Sequence, residues 1–215
     1  MNKIIRAFIF SCTIGLAAGQ LAAQERWEIG VAGGYGFSKD VTIEGRAGEA
    51  SGGLRPGVLF GVVAGNQVRS WLSGEVRYTY RQSDLKLSGG GAEARFDGES
   101  HAIHYDFLFS GGKKDSIQPF VAAGAGIRFF RGTGVESSAQ PVNGVAILTR
   151  TSDLRPLLSV GGGVKGPLSH LLSLRVEARD YITPFPKEVI APLPGGQTRG
   201  WLHDIVPMVG LSFTF

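Results

Sequence analysis

Most of this chain alternates, residue by residue, between large apolar side chains and small or charged ones. In the segment 72–81, "LSGEVRYTYR", Val76 and Tyr78 share one parity while Glu75 and Arg77 share the other. After residue 24 no sustained apolar stripe has the spacing of a helix. A β-strand places successive side chains on opposite faces of its sheet. The pattern therefore predicts an all-β protein whose strands have two chemically different faces.

Eight alternating segments can be drawn, and most are longer than the five or six residues of an average strand. They cover 26–37, 54–66, 69–84, 95–111, 116–131, 152–166, 169–182 and 201–215. Long connections (38–53, 85–94, 132–151 and 183–200) alternate strictly with short ones. In an up-and-down antiparallel sheet, this alternation places every long loop at one end and every short turn at the other.

The first residues have the pattern of an export signal. Lys3 and Arg6 precede a short apolar run that ends in small residues, as in a secretory signal peptide. We assign 1–23 to this signal, with cleavage after Ala23 or alternatively after Gly19, and 24–215 to one barrel domain. A membrane anchor is the weaker interpretation because the apolar run is short. Cys12, the one cysteine of the chain, would be removed with the signal.

Charge and motifs exclude several classes of function. The chain has 22 basic and 18 acidic residues, and the signal would remove two of the basic ones. The mature chain is then nearly neutral, which gives no reason to expect a nucleic-acid partner. The Gly-Gly-Gly runs at 89–91 and 161–163 do not lead into helices, so they are not phosphate-binding loops. No cofactor and no metal site is predicted.

Glycine indicates which face of the sheet points inward. Gly124 and Gly126 share a face with Arg128, and Gly161 and Gly163 lie on a similarly small, polar face. Small residues suit the crowded interior of a narrow barrel. Aromatic residues sit near the strand ends, as in the two interfacial girdles of a membrane barrel. At the short-turn end they are Trp27, Trp71, Phe107, Phe109, Phe213 and Phe215, and at the other end Tyr35, Tyr78, Tyr80, Phe129 and Tyr181.

Two adjacent segments resemble a known family. "IQPFVAAGAGIRFF" and the following "RPLLSVGGGVKGPLSHLLSLRVEARDY" are similar to the OmpA/OmpX-type outer-membrane β-barrel domain. The motifs cover about 117–181, and the architecture covers the whole mature chain. The resemblance implies an eight-stranded antiparallel up-and-down transmembrane β-barrel in the outer membrane, with both termini periplasmic. Because the sequence ends at Phe215, we expect no peptidoglycan-binding domain.

The final residues, "LSFTF", continue the alternation to the last position. An aromatic residue that ends an alternating strand resembles the signal read by the outer-membrane assembly machinery. We therefore assign Leu211, Phe213 and Phe215 to an assembly signal. The alternative is the last buried strand of a soluble β-domain.

The inward face is predicted to collect charged residues. They are Glu28, Glu75, Arg77, Arg81, His104, Asp106, Arg128, Arg155, Lys165, Arg175, Glu177 and Arg179. Such a set is either an ion path or ligand site, or a salt-bridged plug. An eight-stranded barrel is barely wide enough for its own side chains, and unpaired buried charges are costly, so we predict a plug.

The sequence leaves three functions open. The first is a monomeric structural or surface-interaction barrel, at most a narrow pore, surrounded by outer-membrane lipid and meeting an extracellular partner through its long loops. The second is a lipid-modifying enzyme similar to a lipid A deacylase, which needs a nucleophile beside a base. Ser100, His101, His104 and Asp106 are close in sequence, but parity separates His101 from His104 and Asp106, so we predict no enzyme. The third is a soluble, lipocalin-like periplasmic binder.

Overall fold

A computed structural model of the chain describes residues 26–46, 48–112, 116–136, 140, 142 and 144–215. The assigned signal peptide, with Cys12, lies outside these residues. Eight long strands close into an antiparallel barrel in the order β1-β15-β12-β11-β9-β8-β5-β4. They are β1 (Arg26–Lys39), β4 (Gly57–Arg69), β5 (Leu72–Gln82), β8 (Gly98–Ser110), β9 (Gln118–Gly132), β11 (Ser152–Pro167), β12 (Leu172–Pro184) and β15 (Trp201–Thr214).

The predicted fold class, strand number and up-and-down order are confirmed. Each predicted strand matches one barrel strand, with boundaries that differ by a few residues. Both ends of the described chain and the described residues of the short turns lie at one end of the barrel, which we call the turn end. Trp27 and Phe215 exchange two backbone hydrogen bonds of 3.0 Å there. No helix among the described residues is long and apolar enough to cross a bilayer.

The strands are staggered around the barrel. A path along paired residues that leaves β1 at Ile29 returns to β1 at Lys39, ten residues further on. The path passes through Ala64, Val76, Tyr105, Ala125, Leu158, Ile182 and His203. Such a stagger tilts the strands against the barrel axis. The sheet therefore closes on itself and leaves no open edge.

The two faces of the barrel have opposite chemistry. Outward-facing Phe60 and Val121 are each 61% exposed, whereas Arg77 and Arg179 on the inner face are each 1% exposed. A soluble barrel has the reverse arrangement, so the lipocalin-like alternative is wrong. The outer surface is the apolar wall of a barrel that crosses a membrane.

Glycines let the inner face accommodate large charged side chains. A Cβ atom added at Gly163 would clash with the backbone oxygen of Val176 and lie 2.7 Å from Cα of Glu177. On the outer face, a Cβ added at Gly33 would meet no atom closer than 4.0 Å. The predicted inward position of the small residues on β11 is thus confirmed.

We expect Gly163→Val to destabilise the barrel by about 1–3 kcal/mol, because it overpacks the interior against β12 at Val176 and Glu177. Gly33→Val adds the same atoms on the lipid side and should change the stability little. Urea unfolding in detergent, followed by the gel mobility of unboiled samples, measures both. Equal stability of the two variants would contradict the assigned facing.

The long connections are not simple loops, contrary to the sequence prediction. Their described residues form seven short strands: β2 (Val41–Gly45), β3 (Gly48–Leu54), β6 (Leu85–Gly89), β7 (Ala92–Phe96), β10 (Ala146–Leu148), β13 (Ile190–Pro192) and β14 (Gln197–Arg199). Five form a sheet in the order β14-β2-β3-β6-β7, and β10 pairs with β13. We call these strands and the described residues that join them the cap.

The cap has an apolar core of its own. Ile43, Leu87, Ala146, Val189 and Ile190 are completely buried in it. Phe130 of β9 and Leu202 of β15 belong to the same cluster, so this core continues into the end of the barrel. The sequence did not predict the cap strands, because each of them has only three to seven residues. In addition, β2 pairs with β14, β3 with β6, and β10 with β13, and the two strands of each of these pairs belong to different connections.

Candidate functional site

The centre of the barrel is filled by alternating acids and bases from opposite walls. Arg77 of β5 donates from Nη1 to Oε1 of Glu177 at 2.5 Å and from Nη2 to Oε1 of Glu75 at 2.8 Å. Arg179 of β12 donates from Nε to Oε2 of Glu177 at 3.0 Å and from Nη2 to Oε1 of Glu75 at 2.9 Å. Two carboxylates and two guanidinium groups thus form a closed ring, which we call the central ring.

A further acid, Asp106 of β8, lies in register with Glu75 and joins the central ring. Arg179 donates from Nη1 to Oδ2 of Asp106 at 2.6 Å, and Nδ1 of His104 lies 3.1 Å from Oδ1 of the same carboxylate. The ring of His104 packs edge-on against Tyr181 at a centroid distance of 5.3 Å. His104 Nε2 and the hydroxyl of Tyr181 are buried without a hydrogen-bond partner among the described residues.

Toward the turn end, the ion pairs continue to a water-accessible mouth. Arg175 donates from Nη1 to Glu75 at 2.7 Å and from Nη2 to Glu28 at 3.3 Å, and Lys165 also pairs with Glu28. These residues form the floor of a cavity of about 470 Å³ that opens at the turn end. Arg175 also lies over the ring of Phe120, 5.3 Å from its centroid. The Lys165–Glu28 pair is therefore partly exposed, at 24% and 17%, whereas Glu75, where the cavity meets the central ring, is only 3% exposed.

A second group of ion pairs lies beneath the cap. Asp204 of β15 pairs with both Arg81 and Arg128, the latter at 2.9 Å. Arg128 also donates to the hydroxyl of Ser100 from Nε and Nη2, and it lies over the ring of Phe130 at 4.8 Å. A layer of apolar side chains separates this group from the central ring; it includes Leu59, Leu157, Val206 and Met208.

All the predicted lumen residues face the interior. Arg81 is fully buried, whereas Glu28, Lys165 and Arg155 lie near the two ends of the barrel and are partly exposed. Two partners were missed, Asp204 and Asp153. Asp153 accepts from Nη2 of Arg155 at 2.6 Å. Asp204 shares the parity of Ser212 on the same strand, so counting back from the C-terminus would have placed it inside. Its neighbours on the same face, Leu202 and Val206, are apolar like Ile205 on the other face, which hid the alternation.

One residue of the predicted aromatic girdles is misplaced. The side chain of Tyr181 is 1% exposed and points into the lumen, because it has the same parity as Arg179 and Glu177. The other girdle residues lie on the outer surface, where Tyr35 and Phe109, for example, are more than 40% exposed. Trp71 stacks on Phe109 at a centroid distance of 6.1 Å.

The serine and histidines considered for catalysis are not assembled as a nucleophile and base. Ser100 is in the lumen, where its hydroxyl accepts hydrogen bonds from Arg128. His101 is on the outer face, with Nδ1 2.7 Å from the hydroxyl of Tyr78. His104 is inside and bound to Asp106. Parity separated His101 from His104 correctly.

The proposed assembly signal lies on the lipid-facing side of β15. Leu211, Phe213 and Phe215 are 43%, 46% and 60% exposed, and the last two rings lie 6.2 Å apart. These side chains therefore contribute little to the barrel interior. Their role in assembly stays a prediction.

No protein-family model matches the chain, and no curated protein matches its sequence. Solved structures do match it. Neisserial surface protein A is 12% identical with a TM-score of 0.55, over 91% of this chain and 100% of that one. OprG from Pseudomonas aeruginosa is 12% identical with a TM-score of 0.57, over 90% and 96% of the two chains. A major outer membrane protein from Thermus thermophilus is 15% identical with a TM-score of 0.50, over 90% and 100%.

At these identities the likeness concerns the fold, and it agrees with the apolar outer wall and charged interior described above. The chain therefore has the fold of the small eight-stranded β-barrels of bacterial outer membranes.

Proposed function

We propose that the chain is a sealed outer-membrane barrel that displays a folded cap outside the cell for surface interactions. The observation that carries this proposal is the filling of the barrel between its two ends. The central ring, the apolar layer and the ion pairs of Asp204 follow one another along the lumen, and the apolar core of the cap covers the last of them.

The filled lumen argues against steady ion flow. An ion crossing the central ring would have to displace Arg77 or Arg179 from carboxylates that bind each of them at 3.0 Å or less. Separating such a buried pair costs about 3–5 kcal/mol. At the next step the ion would enter apolar surroundings around Leu157 and Val206, where desolvation is costly.

The cap is the part of the molecule best suited to recognition. Barrels of this class have short periplasmic turns and longer extracellular segments, so the cap faces outward. Its buried core holds a five-stranded sheet in a defined shape. A preorganised surface loses less conformational entropy on binding than flexible loops do. This supports a role in contact with an extracellular partner.

Cysteine labelling of intact cells tests the proposed display. Thr42→Cys lies on an exposed position of β2 in the cap, and His170→Cys lies in an exposed turn at the other end. With a membrane-impermeant maleimide, we expect Thr42→Cys to react in intact cells and His170→Cys to react only after the outer membrane is permeabilised. The reverse labelling pattern would refute the outward orientation of the cap.

A further inference from the structure

A basic cavity lies on the side of the cap, directly beside the lipid-facing wall. Its volume is about 570 Å³, and it opens between the end of β1 and the start of β4. Four of its lining residues are cationic and two are acidic. The cations are Lys39, Arg55, Lys86 and Arg95, and the acids are Asp40 and Glu93.

The internal ion pairs of this cavity leave its cations accessible. Lys86 binds Asp40 at 2.9 Å, and the Nε of Arg95 binds Glu93 at 2.5 Å and so lowers the pKa of that exposed carboxyl. Exposed pairs of this kind contribute little energy and exchange partners easily. Lys39 makes no ion pair with any described residue.

Arg55 is also only loosely held. Its Nη1 lies 3.4 Å from Asp84, and both side chains are 39% exposed. Asp84, the partner of Arg55, does not line the cavity, so the lining contains four cations and two acids. The cavity therefore favours an anion.

The wall beneath the cavity is apolar and aromatic. Tyr35 and Phe37, which lead to Lys39 on β1, pack edge-to-face at 5.3 Å and are 43% and 50% exposed. Val58 on the neighbouring strand pairs with Tyr35 in register. Aromatic residues of this kind mark the interface between headgroups and acyl chains. A ligand in the cavity would thus have an apolar surface directly below it.

We propose that this cavity binds the phosphorylated headgroup of an outer-leaflet lipid, whose acyl chains lie along Tyr35, Phe37 and Val58. A guanidinium group such as that of Arg55 binds phosphate oxygens in a bidentate manner, and a lysine such as Lys39 adds a point charge. The continuity of basic cavity and apolar wall selects a lipid over a soluble phosphate. The inference rests on the outward orientation of the cap given under the proposed function.

The test uses the purified full barrel in neutral detergent and native mass spectrometry. The probes are lipid A with two phosphates, the same lipid without phosphates, and inorganic phosphate. The test variant is Lys39→Gln with Arg55→Gln. The control variant is Arg46→Gln with Arg199→Gln, which removes the same charge from exposed cap positions that do not line the cavity.

We expect the wild type and the control to retain the phosphorylated lipid, and the test variant to bind it about 25-fold more weakly, at about fivefold for each cation near a membrane surface. The phosphate-free lipid should bind weakly to all three proteins. Equal losses in test and control variants would mean that general charge, and not this cavity, holds the lipid. Inorganic phosphate bound as tightly as the lipid would also overturn the proposal.

Two features keep the result interpretable. The single variant Lys39→Gln removes no ion pair, so it tests the site even where the double variant fails to fold. Binding in detergent does not depend on which way the cap faces in cells. A wrong orientation would appear in the cysteine labelling alone, whereas a wrong lipid site would appear in the mass spectra alone.

Discussion

Replacing Glu177 with lysine is expected to destabilise the barrel by about 3–5 kcal/mol, the cost of breaking a buried ion pair from one side. Glu177 accepts hydrogen bonds from both Arg77 and Arg179, and its side chain is 1% exposed. A lysine there would add a cation to a space that already holds these two guanidinium groups and Arg175. Urea unfolding of the protein in lipid vesicles, followed by gel mobility, measures the loss.

Two further variants distinguish the loss of the Glu177 ion pairs from the question of which residues point to the lumen and which to lipid. Glu177→Gln keeps the shape but removes the charge, so it should cost less than the lysine variant. Val176→Lys places the cation on the neighbouring outward residue, which is 45% exposed, and should cost about 2–4 kcal/mol near the bilayer midplane. Wild-type stability of both lysine variants would show that the assigned inside and outside of the barrel are wrong.

Removing Phe215 is expected to abolish most of the accumulation of the protein in the outer membrane, with little effect on its synthesis. The ring is 60% exposed on the outer face, so it contributes little to the core of the folded barrel. Its proposed role is recognition during assembly. Quantifying the protein in outer-membrane fractions and in whole cells measures the two quantities separately.

The backbone of Phe215 calls for a second variant, because it exchanges two hydrogen bonds with Trp27 where β15 closes onto β1. Phe215→Ala retains these hydrogen bonds and removes only the ring. Phe109→Ala, which removes an exposed ring from another strand at the same end, is the control. Normal outer-membrane levels of Phe215→Ala would contradict the assembly signal, as would an equal defect in Phe109→Ala.

The barrel strands could be predicted because the alternation that defines each of them lies within the strand itself. Each wall strand has one face toward lipid and one toward a crowded interior, so the period of two persists over eleven or more residues. The same parity placed Glu75, Arg77, Glu177 and Arg179 inside. It did not predict which acid binds which base, because that depends on the stagger of distant strands.

The errors came from using position near a strand end in place of parity, and from pairings between segments that are distant in the sequence. Tyr181 was assigned to a girdle because it lies near a strand end, although its parity placed it with Arg179 inside. The cap was missed because strands such as β10 and β13 have three residues each and pair across connections far apart in the chain. The basic cavity likewise joins Lys39 to Lys86 and Arg95, residues that the sequence separates widely.

Single-molecule recording in planar lipid bilayers tests the sealed lumen most directly. If the lumen is sealed, the wild-type barrel carries no steady current, with at most small and rare openings. Glu177→Lys should open more often, since it breaks the central ring formed with Arg77, Arg179 and Glu75. A large, steady current through each inserted wild-type molecule would contradict the account and show an open channel through the barrel.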